Sequence, residues 1–370
     1  MNDIGILKSG AARHGVRAMA VAAVAAFVAF GASAQQMGDA PLNPELEEGL
    51  RYVQALQRNF FLDIADAVLK ELTSRFPEAA VRAAQLQLEA DLMRGKFDVV
   101  KEQIAAAEKA GKPEDILWAM RLALADSYYA YARYDDCSAI YGSFFAKYQK
   151  KDKDGKITVT VPESLASTFT GAAYKFAQML IGMKKRDEAI ALYEVLVKQP
   201  GLPGHIKRQC LGETAELCIA LADEATDAKK REPYLVKADK LADNLLWERD
   251  LWFGKAIVFK AHVLMVRDKP EEAQQLVDNY MGALTEIHRE LVAIQEETGD
   301  PVVRQSPMAE CRYLLATMQQ EKAQTLMAAQ DFSATDPKKR EEVISLLLGT
   351  KDPSTGKRNG KGAFNHFINV

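Results

Sequence analysis

Beyond Pro44 the chain reads as a train of amphipathic helices. Apolar residues recur at three- and four-residue spacings, charged residues lie between them, and short breaks carry Gly, Pro or Asp. The pattern predicts paired helices at 45–59 with 61–75, 78–94 with 97–110, 114–132 with 135–149, and 163–183 with 186–199. It continues with 204–227 and 231–246, 249–267 and 270–297, and 307–330 and 337–348, and a last helix begins near Gly362. Pro77, Pro113, Pro162, Pro203, Pro233, Pro270, Pro301, Pro307 and Pro337 fall at or near these starts or in the links. A proline in mid-helix would cost about 3 kcal/mol, so this placement favours the segmentation. One stretch departs from the helical period. Lys156 to Val161 alternates β-branched residues and predicts a short strand. The expected fold class is all-α, with a small extended insert near 150–162.

The second helix of several pairs opens in one way. Gly95-Lys96-Phe97-Asp98, Ala132-Arg133-Tyr134-Asp135, Lys184-Lys185-Arg186-Asp187 and Asp268-Lys269-Pro270-Glu271 each give a tight turn with acids on the first helical turn, followed by a small or medium apolar residue. Acids there suit the positive end of the helix dipole. Leu124-Ala125-x2-Tyr128 is followed by Cys137 and Tyr141, Phe176-Ala177-x2-Leu180 by Ala189 and Tyr193, and Ala261-x2-Leu264 by Ala273 and Val277. Ala65, Leu69 and Pro77 fit the second half of a further copy, and Val100 with Ile104 another.

In these residues the chain resembles the tetratricopeptide repeat, W-x2-L-G-x2-Y then A-x3-F then P. The leading Trp is absent, since Arg121, Ala173 and Ile257 stand in its place, and the copy at Ala238 and Leu245 is degenerate. Spacing is uneven: Ala65 to Val100 is 35 residues, Val100 to Cys137 is 37, Cys137 to Ala189 is 52 and Ala189 to Ala273 is 84. The resemblance implies a right-handed α-solenoid of about seven antiparallel helix pairs whose concave surface binds peptide segments or folded partners. A bundle would accommodate the same periodicity. The pair-after-pair order favours the solenoid, because a lone pair cannot bury its apolar face.

The first 34 residues read as a secretory signal. Lys8, Arg13 and Arg17 precede an apolar run, Ala18 to Phe30, and Ala32-Ser33-Ala34 is a small-x-small cleavage site. An uncleaved membrane anchor is the minor alternative. The expected organisation is a signal peptide at 1–34, a linker at 35–44, the repeat array at 45–348, and a basic Gly-rich loop with the start of a terminal helix at 349–370. The expected location is periplasmic or secreted, with no membrane span after signal removal.

The formal net charge is −3, and the first 34 residues contribute +2 (three cations against Asp3), so the remainder carries −5. A mildly acidic chain without a basic block is poorly suited to nucleic acid. Cys137, Cys210, Cys218 and Cys311 form no C-x-x-C. Cys210 and Cys218, expected on one helix, would stand about 12 Å apart and could not bridge each other. Buried free thiols are expected.

No G-x-S-x-G, H-E-x-x-H or complete phosphate loop occurs. Gly356 to Gly362 resembles a phosphate loop, but its glycines stand four apart and no Ser or Thr follows Lys361, so a flexible basic loop is expected. Lys150 to Val161 matches part of a calcium loop at Asp152, Asp154 and Gly155, yet carries Lys150 and Val161 where the strongest ligands belong. His205, His262, His288 and His366 show no paired ligand spacing. No cofactor, metal or catalytic residue is expected.

Aromatic residues crowd the third pair, with Tyr128, Tyr134 and Tyr141 expected in the core. Tyr129 and Tyr131 lie on other sides of the same helix and are candidates for gripping a partner. Trp247, Trp252 and Phe253 are expected to be core. Phe364 and Phe367, on the apolar terminal helix, are the second pair of candidates, for a partner or an oligomer. These features point to a non-catalytic exported scaffold or adaptor that binds protein or peptide partners, in envelope assembly or cell-wall machinery. The alternative is a carbohydrate- or peptidoglycan-binding module, or a helical enzyme domain, using an aromatic groove.

Overall fold

The computed structural model describes residues 43–151, 157–199, 201–329, 332–333 and 335–368. The expected signal peptide, almost all of the expected linker, and Asp152, Asp154 and Gly155 lie outside these. The described chain is all-α, with fifteen α-helices and one two-stranded antiparallel hairpin. None of the described helices is long and apolar enough to cross a membrane.

The chain divides into two compact units, residues 1–184 and 185–370. The first holds α1 (Pro44–Arg58), α2 (Leu62–Arg75), α3 (Ala80–Met93), α4 (Phe97–Lys109), α5 (Glu114–Ala130), α6 (Tyr134–Tyr148) and α7 (Glu163–Gly182). Strands β1 (Gln149–Lys151) and β2 (Ile157–Val159) pair between α6 and α7, so the expected extended arm is a hairpin. The second unit holds α8 (Arg186–Val197), α9 (Gly204–Glu224), α10 (Ala228–Asp243), α11 (Leu251–Val266), α12 (Pro270–Thr298), α13 (Pro307–Ala328), α14 (Pro337–Leu348) and α15 (Ala363–Ile368).

One turn recurs. Phe60, Gly95, Ala132, Lys184 and Asp268 all have left-handed backbone, with φ of 60, 71, 58, 63 and 59°. The next residues, Phe61, Lys96, Arg133, Lys185 and Lys269, all have ψ between 55 and 65°. The amides of Phe61, Lys96, Arg133 and Lys269 reach back five residues to the carbonyls of Leu56, Asp91, Tyr128 and Leu264 at 2.8–2.9 Å. This is the Schellman closure, which satisfies the last carbonyls of a helix while reversing the chain. Gly occupies the left-handed position only once in the five turns, although that conformation costs other residues about 1–2 kcal/mol.

Burial follows the turn. Five residues after it stand Ala65, Val100, Cys137, Ala189 and Ala273, each at most 1% exposed. Nine after it stand Leu69, Ile104, Tyr141, Tyr193 and Val277, and seven before it Val53, Leu88, Ala125, Ala177 and Ala261, all buried. The turns repeat at the expected intervals of 35, 37, 52 and 84 residues, from Phe60 to Asp268.

Apolar cores form within each unit. Leu46, Leu50, Val53, Leu69, Leu72 and Leu86 join α1, α2 and α3. Phe253, Ile257, Val277, Leu284, Cys311 and Leu315 join α11, α12 and α13. Helix α11 is buried on nearly every side, and its neighbours approach through glycine. A Cβ on Gly212 would lie 1.9 Å from the Trp252 ring, and one on Gly254 would lie 2.6 Å from Pro307.

Several details differ from the sequence reading. Pro233 lies inside α10, which starts at Ala228, a turn earlier than expected. The Asp227 carboxylate caps that start, accepting from the Lys229 amide at 2.9 Å. Tyr134 is half-exposed and begins α6 instead of filling the core. Trp247 is 71% exposed, with the Arg208 guanidinium stacked 4.8 Å from its ring, so only Phe253 of that cluster is fully core. The basic glycine stretch is a closed hairpin. Lys351 bridges Arg358, and the Asp352 carboxylate accepts from the amides of Ser354 and Thr355 at 2.7 and 3.2 Å.

Candidate functional site

The recurring turn defines a register, and six residues before it each of the five first helices that end in it carries a polar side chain. In the first unit these are Gln54 on α1, Glu89 on α3, Asp126 on α5 and Gln178 on α7; in the second, His262 on α11. Asp126 is buried and the other four are half-buried. The position directly before them in the chain is buried apolar in every copy, so this row lies at the border of the core.

Hydrogen bonds between successive first helices set the row side by side within the first unit. Gln57 of α1 donates to the Leu86 carbonyl of α3 at 2.9 Å. Ser127 of α5 donates to the Leu92 carbonyl of α3 at 3.3 Å. Lys175 of α7 donates to Asp126 of α5 at 2.6 Å. In the second unit His262 lies 2.8 Å from Asp223 of α9, and Lys255 of α11 pairs with Glu310 of α13.

The row carries shifted ionisations. Burial holds the Glu89 carboxyl up to about 7, against smaller opposing effects from its hydrogen bond with Gln85 and the nearby Arg58 charge. Burial also raises Asp126, opposed by Lys175 and by the Tyr141 hydroxyl that donates to it. Tyr141 itself is pushed well above the ordinary phenol range by burial and by the Asp126 charge. Asp126, Lys175 and Tyr141 therefore form a satisfied buried cluster, whereas Glu89 is a half-buried acid poised near neutrality.

Behind the row stands an aromatic wall. Tyr141 stacks on Phe176 with centroids 4.5 Å apart, Trp118 meets Phe144 edge-on at 4.9 Å, and Phe145 meets Phe169 at 5.4 Å. These rings are buried, as are Tyr128 and Tyr148.

The two helix-border tyrosines are engaged in packing. Tyr129 is half-buried, its ring lies 5.5 Å from Tyr134, and its hydroxyl fills the space a side chain at Gly182 would take. Tyr131 is 49% exposed, yet its hydroxyl donates to the Met93 carbonyl at 2.6 Å and its ring meets Phe97 edge-on. Phe364 and Phe367, in the second unit, are 58% and 38% exposed. The polar row was not anticipated from sequence. The signal was present: the residue six before each left-handed turn is polar in all five copies, which becomes visible once the turns are aligned.

All four cysteines are free and buried. Burial raises Cys137, Cys210 and Cys311 to about 12 and Cys218 to about 11, so these thiols stay protonated. Among the described residues no group of three or more His, Cys, Asp or Glu is placed to hold a metal. His288 meets the Ser306 hydroxyl at 2.9 Å, and His366 is lowered by burial and by the Arg312 charge. No family model, no curated protein and no solved structure matches this chain.

Proposed function

We propose that the chain is a non-catalytic, exported adaptor of the tetratricopeptide-like solenoid class, holding extended segments of envelope proteins against the polar row on the first helices of its first unit. The observation that carries this reading is the register itself. Positions that pack the helix pairs are apolar in every copy, while the position six before the turn is polar in every copy and varies in chemistry: Gln, Glu, Asp, Gln, His. Packing accounts for constant apolar positions. A row of differing donors and acceptors at a core border suits recognition of a peptide backbone and its side chains. The signal-like N-terminal sequence supports export to the periplasm.

The test is a crosslinking capture from the host's envelope fraction, comparing the native chain with a Q54A/E89A/Q178A variant of unchanged helical content. Capture of one or two proteins by the native chain, lost in the variant, is the expected result. Equal capture by both chains removes the row from the reading. Enrichment of glycan fragments without protein replaces the adaptor with a carbohydrate-binding role.

A further inference from the structure

The C-terminal cap of the second unit combines two properties, a local excess of cations and an exposed apolar face. Residues 349–368 carry Lys351, Lys357, Arg358 and Lys361 against Asp352 alone, a net of +3 in a chain of −3 overall, leaving −6 for the rest. The cap is held in place. Arg358 spans both oxygens of Glu341 at 2.9 and 3.1 Å and donates to the Gly349 carbonyl at 2.6 Å. Gln319 donates to the Lys361 carbonyl at 2.9 Å, and Lys361 reaches Asp278 at 3.4 Å. Lys351 and Lys357 are exposed, and among the described residues no acid pairs with them.

Helix α15 is two-faced. Ala363 is buried and His366 half-buried against the unit, while Phe364, Phe367 and Ile368, at i, i+3 and i+4, form the outward face. Ile368 is 67% exposed, and Phe367 meets the exposed Tyr313 ring edge-on at 6.0 Å. Leu348, at the end of α14, adds a further exposed apolar side chain.

We propose that this cap docks on an anionic phospholipid surface, with Phe364, Phe367 and Ile368 entering the headgroup–acyl boundary and Lys351 and Lys357 facing the phosphates. With Arg358 and Lys361 paired to Glu341 and Asp278, Lys351 and Lys357 still outnumber the exposed Asp352 beside them, and this excess favours an anionic partner. The apolar face selects one with a hydrocarbon phase at the same place, which a lipid surface supplies and a nucleic acid does not. Phe364, Phe367, Ile368, Tyr313 and Leu348 are 38–67% exposed, and a bilayer takes up such side chains without shape matching, because charge and insertion act together. The proposal stands independently of the polar row.

The experiment is co-sedimentation of the full chain with phosphatidylcholine vesicles and with vesicles in which phosphatidylglycerol replaces part of the phosphatidylcholine. Native chain, K351Q/K357Q and F364S/I368S are compared at low and high salt. Any contribution of the N-terminal apolar stretch is common to all three chains, so the differences report the cap. Native chain should prefer the anionic vesicles, and salt should weaken that preference. Each lysine is worth about five-fold, so K351Q/K357Q should lose roughly 25-fold. F364S/I368S should lose about ten-fold or more on the same vesicles. Equal binding to both vesicle types, or unchanged binding by either double variant with native circular dichroism, overturns the proposal. Sedimentation velocity showing a native dimer that F364S/I368S dissolves also overturns it, by assigning the face to a second copy.

Discussion

Ala132 holds a left-handed backbone, φ 58°, at the turn between α5 and α6. That conformation costs an L-residue about 1–2 kcal/mol through its Cβ. Glycine removes the cost but gives up about 0.5–1 kcal/mol in unfolded-chain entropy. Ala132→Gly should therefore stabilise the first unit by about 0.5–1 kcal/mol. The same pair of residues can be exchanged in the opposite direction at two other positions of that unit. Gly111, φ 65°, closes α4 with nothing within 4 Å of an added Cβ, so Gly111→Ala should destabilise by about 1 kcal/mol. Gly142 lies inside α6, also with nothing within 4 Å of an added Cβ, so Gly142→Ala should stabilise by about 1 kcal/mol. None of the three exchanges alters a buried group, and only the backbone angle distinguishes them. Urea unfolding monitored by far-UV circular dichroism reads each as a midpoint shift of about 0.3–0.5 M at an ordinary slope. If Ala132→Gly lowers the midpoint, or both Gly→Ala exchanges move it the same way, the left-handed turn is not the strained element described here.

Asp126→Ala should destabilise by about 3 kcal/mol in the same assay, because Lys175 loses its buried partner, and Asp126→Asn by about half as much because the Tyr141 bond survives. Gly212→Ala drives a Cβ into the rigid Trp252 ring and should cost about 3 kcal/mol; Gly212→Ala with Trp252→Leu should recover part of that, and a double variant no better than the single would refute the contact. Glu89 titrates near 7 when folded but near its ordinary 4.5 when unfolded, so between those values the folded chain binds more protons and stability falls as pH rises. The penalty is absent below about pH 4 and complete above 7. Glu89→Gln should therefore remove that slope and exceed the native chain at pH 8 by about 2 kcal/mol, discounted for partial solvent screening, as read from urea midpoints across pH.

The helix pairs were legible in the sequence because prolines and turn residues mark their ends and because Ala, Leu and acids recur at helical spacing. The strand at 157–159 was legible for the converse reason, since alternating β-branched residues have no helical face, whereas its partner at 149–151 has no such pattern. What escaped followed from context. Tyr134 occupies a repeat position expected to be core, but as the first residue of α6 it points past the helix end, where Tyr129 receives it. Trp247 looked apolar in a run of apolar residues, yet Arg208 is held beneath it by Asp250 and by the carbonyls of Leu245 and Glu248, which turns the indole outward as a lid on a cation. Neither outcome depends on the residue's own hydropathy. Both depend on a partner roughly five to forty residues away in sequence.

The turn register separates two kinds of constraint that a hydropathy pattern merges. Seven before the turn, and five and nine after it, the residue is apolar whatever its size, from Ala to Tyr, because neighbouring positions compensate for volume while water must be excluded. At the turn itself Phe, Gly, Ala, Lys and Asp all occur, because a Schellman closure is made by backbone groups, and the strain of a non-glycine residue is small beside the helix pairing it enables. Six before the turn the residue is polar in all five copies and its chemistry varies among Gln, Glu, Asp and His. That freedom is what a binding row requires. On the adaptor reading proposed above, its chemistry could change from copy to copy without disturbing the helices that carry it, and a change of specificity would be sought at Gln54, Glu89 and Gln178. Asp126, tied to Tyr141 and Lys175, has lost that freedom and belongs to the scaffold.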